Sequence, residues 1–154
     1  MFAEVITGRF KDKADEAGPY ALPAAATIGL PVLDQAHVAL LTRLNAAHRA
    51  LAAGDEAKAR LQVETLRAEM ATHFDIEEQV MQALGFGAMR DHVRRHAASA
   101  AELDEICRVS LARGALEVRD IDLCYQSLID EILRSDVDLK SHFQSMGSTR
   151  PMQQ

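Results

Sequence analysis

The chain contains no tryptophan, and it has only two tyrosines and five phenylalanines among its 154 residues. Its core must therefore be mainly aliphatic. Lysine and arginine form no basic run and the net charge is −6 at pH 7, which argues against nucleic acid as a partner because a phosphate-binding surface needs concentrated positive charge. No stretch approaches the roughly 20 apolar residues of a membrane span, and the N-terminal sequence lacks the apolar core of a signal peptide. We therefore expect a cytoplasmic protein that binds neither nucleic acid nor membrane.

Cysteine is also scarce. Cys107 and Cys124 are too few to form a disulfide framework. We expect them to be small, partly buried hydrophobic side chains in a reducing compartment. A redox pair remains an alternative if facing helices bring the two thiols together.

Four segments of the chain carry apolar residues at helical spacing. Hydrophobic residues make up 48% of the chain and charged residues 26%, a balance typical of one globular domain, and alanine, leucine and glutamate favour helix. The stripes at steps of three and four predict helices at about 33–53, 56–84, 88–113 and 120–146. Short links between them predict an all-α, up-down-up-down four-helix bundle.

The ends of the chain are expected to lie outside this bundle. Gly18, Pro19, Pro23 and Pro31 favour turns or extended backbone near the N-terminus. We assign residues 1–30 to an N-terminal arm that crosses the bundle surface or serves as a docking segment, residues 31–147 to the bundle, and residues 148–154 to a flexible tail.

Two pairs of polar residues interrupt the apolar stripes of the second and third helices. His73 and Glu77 are four residues apart, as are His92 and His96, so each pair lies on one face of its helix, one turn apart. Gly85 lies between the pairs and favours a break between two helices. A buried carboxylate without a partner is costly, so Glu77 indicates a bound cation.

In an alternating bundle, two further histidines come to the same end as these pairs. His37 lies near the start of the first helix, and His142 lies near the end of the fourth. A lone histidine on an apolar stripe is usually a hydrogen-bonded core residue, but five of them together with Glu77 are too many for one tetrahedral zinc and suit two metals. His48 is three turns from His37, about 16 Å at the standard helical rise, so we expect it to have a structural role.

The order and spacing of these residues resemble those of bacterial hemerythrin-like proteins of the hemerythrin HHE cation-binding family. The matching segments are Ile28–His37, His73–Glu78, His92-x-x-x-His96 and Leu139-x-x-His142.

The resemblance implies a non-haem di-iron site with an oxo or hydroxo bridge between the ions. His92, His96 and His142 would bind one iron, His37 and His73 would bind the other, and Glu77 would bridge the two. The iron with two histidines would be the one that binds dioxygen.

The chain departs from the family pattern at three positions. The family's second bridging aspartate is here Gly147, which we interpret as the cap that ends the fourth helix. A tryptophan of the family's oxygen pocket is here Asp138. This side chain could be an additional metal ligand or an acid near bound oxygen. Alternatively, it faces solvent and pairs with a lysine or arginine. A phenylalanine is here Ser99, and Ser145 lies beside His142, so the pocket is more polar than an oxygen carrier needs.

These departures favour oxygen or redox sensing over bulk oxygen carriage. The ligand would be dioxygen or another small diatomic or peroxide molecule, and a sensor without an output domain would need a protein partner. We expect a metal- and oxygen-binding protein rather than an enzyme. Two alternatives remain: a weak oxidoreductase acting on peroxide or nitric oxide, and a degenerate bundle that serves as a metal-binding or interaction module.

Overall fold

The computed structural model describes residues 18–148, which form helices and loops and contain no strand. The helices are α1 Pro31–Ala52, α2 Glu56–Ala83, α3 Met89–Arg113, α4 Val118–Glu131 and α5 Val137–Ser148. A five-residue π-helical segment, Ile132–Asp136, joins α4 to α5. Together the three segments, residues 118–148, form the fourth long helix of the bundle, called the fourth arm below. The predicted all-α four-helix fold is confirmed. Within the described residues, no helix is long and apolar enough to cross a membrane.

Local sequence signals explain where the helices begin and end. Pro31 occupies the first turn of α1, where its missing N–H costs nothing. Gly54, with a φ of 75°, follows the end of α1, and the Asp55 side chain accepts a hydrogen bond from the Lys58 amide to cap α2. Gly114, with a φ of 83°, ends α3. The observed ends of these helices lie within about two residues of the predicted ones.

The core consists of two apolar clusters at different levels of the bundle. The larger is aliphatic and includes Leu44, Leu66, Leu103 and Leu128. The smaller contains Ile28, Leu33, Met81 and Leu139. On each long helix of the bundle, the predicted metal ligands lie between the two apolar clusters or beside one of them. Apolar packing therefore borders this polar layer on both sides.

Residues 18–30 pack along the bundle and contain a short 3₁₀ turn at Ala24–Ala26. Tyr20 is only 6% exposed. Its amide donates a hydrogen bond to Asn45 Oδ1 at 3.0 Å, and its carbonyl accepts one from Asn45 Nδ2 at 2.9 Å. The Tyr20 hydroxyl donates to Asp122 at 2.5 Å. This part of the predicted arm is therefore attached to both α1 and α4.

Some sequence predictions fall at the margins of the described chain. The rest of the predicted arm, residues 1–17, and the tail beyond Ser148 lie outside the described residues. Helix α5 continues to Ser148, two residues past the predicted end, so Gly147 lies within the helix and is not the cap that the sequence suggested. Cys107 and Cys124 are both buried and free, and burial raises the pKa of the Cys124 thiol to about 12, as expected for core thiols rather than reactive ones.

Candidate metal centre

Three helices bring five of the six predicted ligands into one buried layer. Helix α1 supplies His37, α2 supplies His73 and Glu77, and α3 supplies His92 and His96. All five are at most 3% exposed. The two pairs with four-residue spacing face inward because residues i and i+4 share one helix face.

Glu77 is the common partner of three of the histidines. Its Oε2 lies 3.1 Å from His73 Nε2, and its Oε1 contacts His92 Nε2 and lies 3.2 Å from His96 Nε2. His37 joins the same group because its Nε2 lies 3.0 Å from His73 Nε2. One carboxylate therefore connects ligand atoms from α2 and α3.

The fourth arm contributes two acids that the sequence interpretation did not include. Asp136, in the π-helical segment, is fully buried, and Glu131, at the end of α4, is 6% exposed. Asp136 Oδ2 lies 3.0 Å from His37 Nε2, and its Oδ1 lies 3.2 Å from His92 Nε2. Glu131 Oε1 lies 3.4 Å from His96 Nε2. Asp136 is thus a second carboxylate that reaches histidines on two different helices.

The ligand atoms form two overlapping groups, and within each group all of them lie within 4.8 Å of one another. One group consists of Glu77, His92, His96, Glu131 and Asp136, and the other consists of His37, His73, Glu77 and Asp136. Glu77 and Asp136 belong to both groups. Two groups that share two carboxylates are the arrangement expected for two adjacent cations with carboxylate bridges.

The donor atoms fit metal ions better than they fit one another. Both carboxylate oxygens of Glu131 and of Asp136 are buried, and neither makes a hydrogen bond within the described structure. Separations near 3.0 Å between donors match adjacent ligands around a metal, because two donors about 2.1 Å from an ion and at right angles to each other lie about 3.0 Å apart. His96 Nδ1 lies 3.0 Å from Glu78 Oε1, a carboxylate that would hold Nε2 toward an ion.

The electrostatics of the cluster also favour a cation. Burial opposes ionisation of Glu77, but the neighbouring Asp136 carboxyl and the surrounding histidines lower its pKa. Burial and the adjacent Glu77 carboxylate raise the pKa of Asp136 well above its usual value. Burial and the charges of Asp136 and Glu77 raise the pKa of Glu131 to about 8. Without metal, Glu131 and Asp136 therefore retain protons that a bound cation would displace, whereas Glu77 is ionised.

The structure does not bring His142 into either ligand group. Its half-exposed ring donates a hydrogen bond from Nε2 to the Leu84 carbonyl at 3.1 Å. The ring of Phe86 packs edge-on against both His142 and His92. The position that the resemblance gave to His142 at the iron with three histidines is taken by Glu131 in the structure.

The remaining predicted positions lie around the cluster or away from it. Asp138 is exposed, and its Oδ2 lies 3.4 Å from Arg95 Nη1, as in the solvent-facing alternative. Ser99 is buried, whereas Ser145 is exposed and its hydroxyl donates to the His142 carbonyl. His48 is half-buried and packs edge-on against Tyr20, outside both ligand groups.

Regular α-helical spacing explains why sequence reasoning missed Glu131 and Asp136. Five residues at about 100° each place these two side chains about 140° apart on an α-helix, so they do not share a face. A π turn closes its hydrogen bonds over five residues, which matches their separation. The five-residue spacing of Glu131 and Asp136 in the sequence could have indicated them, because the fourth helix otherwise lacked a second bridging carboxylate.

Comparison with known protein families identifies the domain. The model of the hemerythrin HHE cation binding domain matches residues 29–144, a range that contains every residue of both ligand groups. Searches among curated proteins and among solved structures gave no match. The match covers most of the chain, and its name agrees with the buried histidine and carboxylate cluster. The chain belongs to the hemerythrin HHE cation-binding domain family.

Proposed function

We propose that this domain holds two iron ions that react with dioxygen or a peroxide, and that it serves oxygen or redox sensing rather than bulk oxygen carriage. Glu131, His92 and His96 would hold one ion, His37 and His73 would hold the other, and Glu77 and Asp136 would bridge them. Two Fe(II) ions, when bound, would supply the two electrons needed to reduce dioxygen or a peroxide. The buried layer would hold the ions and limit the access of water.

A single observation supports two ions rather than one: two carboxylates are shared between two ligand groups. Neutral imidazoles and carboxylates together suit iron, manganese or zinc. A structural zinc ion uses four ligands, whereas seven residues converge here. Iron is the proposed metal because zinc has no redox chemistry, whereas two adjacent iron ions with mixed nitrogen and oxygen ligands can transfer electrons to dioxygen.

The preference for redox chemistry now has a different basis from the one taken from sequence. Gly147 suggested that the second bridge was missing, but Asp136 contacts His37 and His92 and would fill that role. Glu131, a third carboxylate at a position where the resemblance implied a histidine, instead supports redox chemistry. Three anionic ligands favour the more highly charged ferric state, and a centre that stays oxidised is suited to sensing or slow turnover rather than to reversible carriage.

Metal analysis followed by oxygen exposure tests this proposal. The purified chain should take up about two irons under anaerobic Fe(II) loading, and air should then produce ferric charge-transfer absorption that nitrogen does not reverse. Absorption that disappears when oxygen is removed would indicate a carrier. Fewer than about one metal per chain would instead favour the interaction module, and a sensor should also show oxidation-dependent binding to a protein partner.

The second candidate function is a weak oxidoreductase acting on peroxide or nitric oxide. It is favoured by a polar cavity that reaches Glu131 from the surface. Repeated turnover of peroxide or nitric oxide by the iron-loaded chain would distinguish an enzyme from a sensor, which would react once and then stay oxidised.

A further inference from the structure

A cavity of about 150 Å³ lies between α3 and the fourth arm, next to the candidate metal centre. Its lining includes Arg95, Ser99, Glu102, Ser127, Glu131 and Ser135. The volume accommodates several molecules the size of water. Arg95 and Glu102 are exposed, whereas Ser99, Glu131 and Ser135 are at most 6% exposed. The cavity thus extends from solvent to a carboxylate of the metal-ligand group.

The buried part of this cavity carries hydrogen-bonding groups that lack protein partners. The hydroxyls of Ser99 and Ser135 make no hydrogen bond within the described structure, and neither do the two carboxylate oxygens of Glu131. Ser127, which lines the same cavity, differs because its hydroxyl donates to Glu102 at 3.1 Å. Buried polar groups are normally hydrogen-bonded, so three neighbouring exceptions indicate a site for a small polar molecule.

We propose that this cavity binds hydrogen peroxide and delivers it to the metal centre past Glu131. This inference rests on the proposed function and specifies its substrate. A peroxide molecule has two O–H donors for carboxylate or hydroxyl oxygens, and its lone pairs accept from the two serine hydroxyls. Dioxygen and nitric oxide have no hydrogen to donate, so they would leave unsatisfied the Glu131 oxygen that does not bind the ion. Water satisfies the same groups, and peroxide would enter by replacing it.

The charge of the lining agrees with a neutral ligand. Arg95 donates to the Arg134 carbonyl at 2.8 Å and lies beside Asp138, so its charge is already engaged at the mouth of the cavity. The full charged lining comprises three acids, Glu102, Asp130 and Glu131, and two arginines, Arg95 and Arg134, so it has no excess of positive charge to hold a small anion. A neutral molecule that both donates and accepts hydrogen bonds fits this lining better than superoxide or nitrite does.

The first test compares how two oxidants react with the diferrous chain, whose iron content is measured beforehand. In the Ser99→Ala/Ser135→Ala double variant, oxidation by hydrogen peroxide should be about tenfold slower, as expected for two lost hydrogen bonds, while oxidation by dioxygen should stay within about twofold of wild type. Ser127→Ala is the matched control and should change neither rate. Equal peroxide rates in the double variant and wild type, or equal slowing with both oxidants, would overturn the proposal.

The second test does not depend on metal-catalysed activity. Crystals of the iron-free chain soaked in hydrogen peroxide should show a two-oxygen molecule within hydrogen-bonding distance of Ser99 Oγ and Ser135 Oγ, and crystals of the double variant should not. Density for single waters alone in soaked wild-type crystals would refute the site. A chain that takes up no iron refutes the proposed function, whereas two bound irons with serine-independent peroxide kinetics refute only the cavity.

Discussion

Replacing Asp136 with asparagine removes one negative charge from both ligand groups and preserves side-chain volume. The larger group would retain four ligands, and the group with His37 and His73 would retain three. The ion held by those two histidines should therefore be lost first. We expect the metal content of Asp136→Asn to fall from about two ions per chain to about one under conditions that saturate the wild type.

The same substitution should act in the opposite direction on the metal-free protein. Without a cation, Glu77, Glu131 and Asp136 lie buried among ligand atoms within 4.8 Å of one another. The raised pKa of Asp136 means that folding at neutral pH must protonate this side chain, and asparagine removes that cost, so the substitution should raise the free energy of unfolding by on the order of 1 kcal/mol. With metal at 100 times its dissociation constant, each ion contributes about 2.7 kcal/mol. Losing one ion should therefore destabilise the metal-loaded variant relative to wild type.

Elemental analysis and thermal unfolding with and without Fe(II) measure both effects. Asp138→Asn is the matched control, because Asp138 is an exposed acid only two residues away and pairs with Arg95. It should retain two metals and change stability little, as exposed ion pairs contribute at most about 1 kcal/mol. The proposed centre would be refuted if Asp138→Asn lost metal while Asp136→Asn retained both ions.

Three further predictions concern positions outside the two ligand groups. His142→Ala should retain full metal content in elemental analysis, because its ring lies outside both ligand groups, and a lost metal would restore the ligand role implied by the resemblance. Deleting the exposed Leu133 should turn the π segment into an α turn that still directs both acids inward, so metal binding should survive, as calorimetry can check. Gly18→Ala should lower the free energy of unfolding by about 1–3 kcal/mol, because a Cβ there would overlap the Asn45 side chain, whereas Gly87→Ala, with open space around it, should not.

Most of the fold could be predicted from sequence because its signals are local. Stripes at steps of three and four mark the buried helix faces, and Gly54, Asp55 and Gly114 set the ends of helices through backbone conformation or capping. The attachment of Tyr20 to Asn45 could not be predicted in this way. It depends on two residues 25 positions apart, whose contact follows from packing rather than from any local pattern.

The residues of the candidate site likewise divide into those that local spacing predicts and those that depend on packing. His73, Glu77, His92 and His96 could be found because a regular helix places each pair on one face. His37 needed only the additional assumption of an alternating bundle. His142 also satisfied that assumption, but five π-helical residues precede it on the fourth arm, and they change the register on which its placement depended.

The π-helical segment explains how one arm can supply two acids to the centre and still pack its apolar residues. Ile132 and Leu139, on either side of Asp136, are both fully buried, so the backbone must keep two apolar contacts while directing the carboxylates of Glu131 and Asp136 inward. A regular α-helix would separate those carboxylates by about 140° and turn one away. The extra residue of a π turn brings them one turn apart on a shared face, although π turns are intrinsically disfavoured. A bound cation would stabilise this turn through both acids, which couples the backbone of the fourth arm to the state of the metal centre.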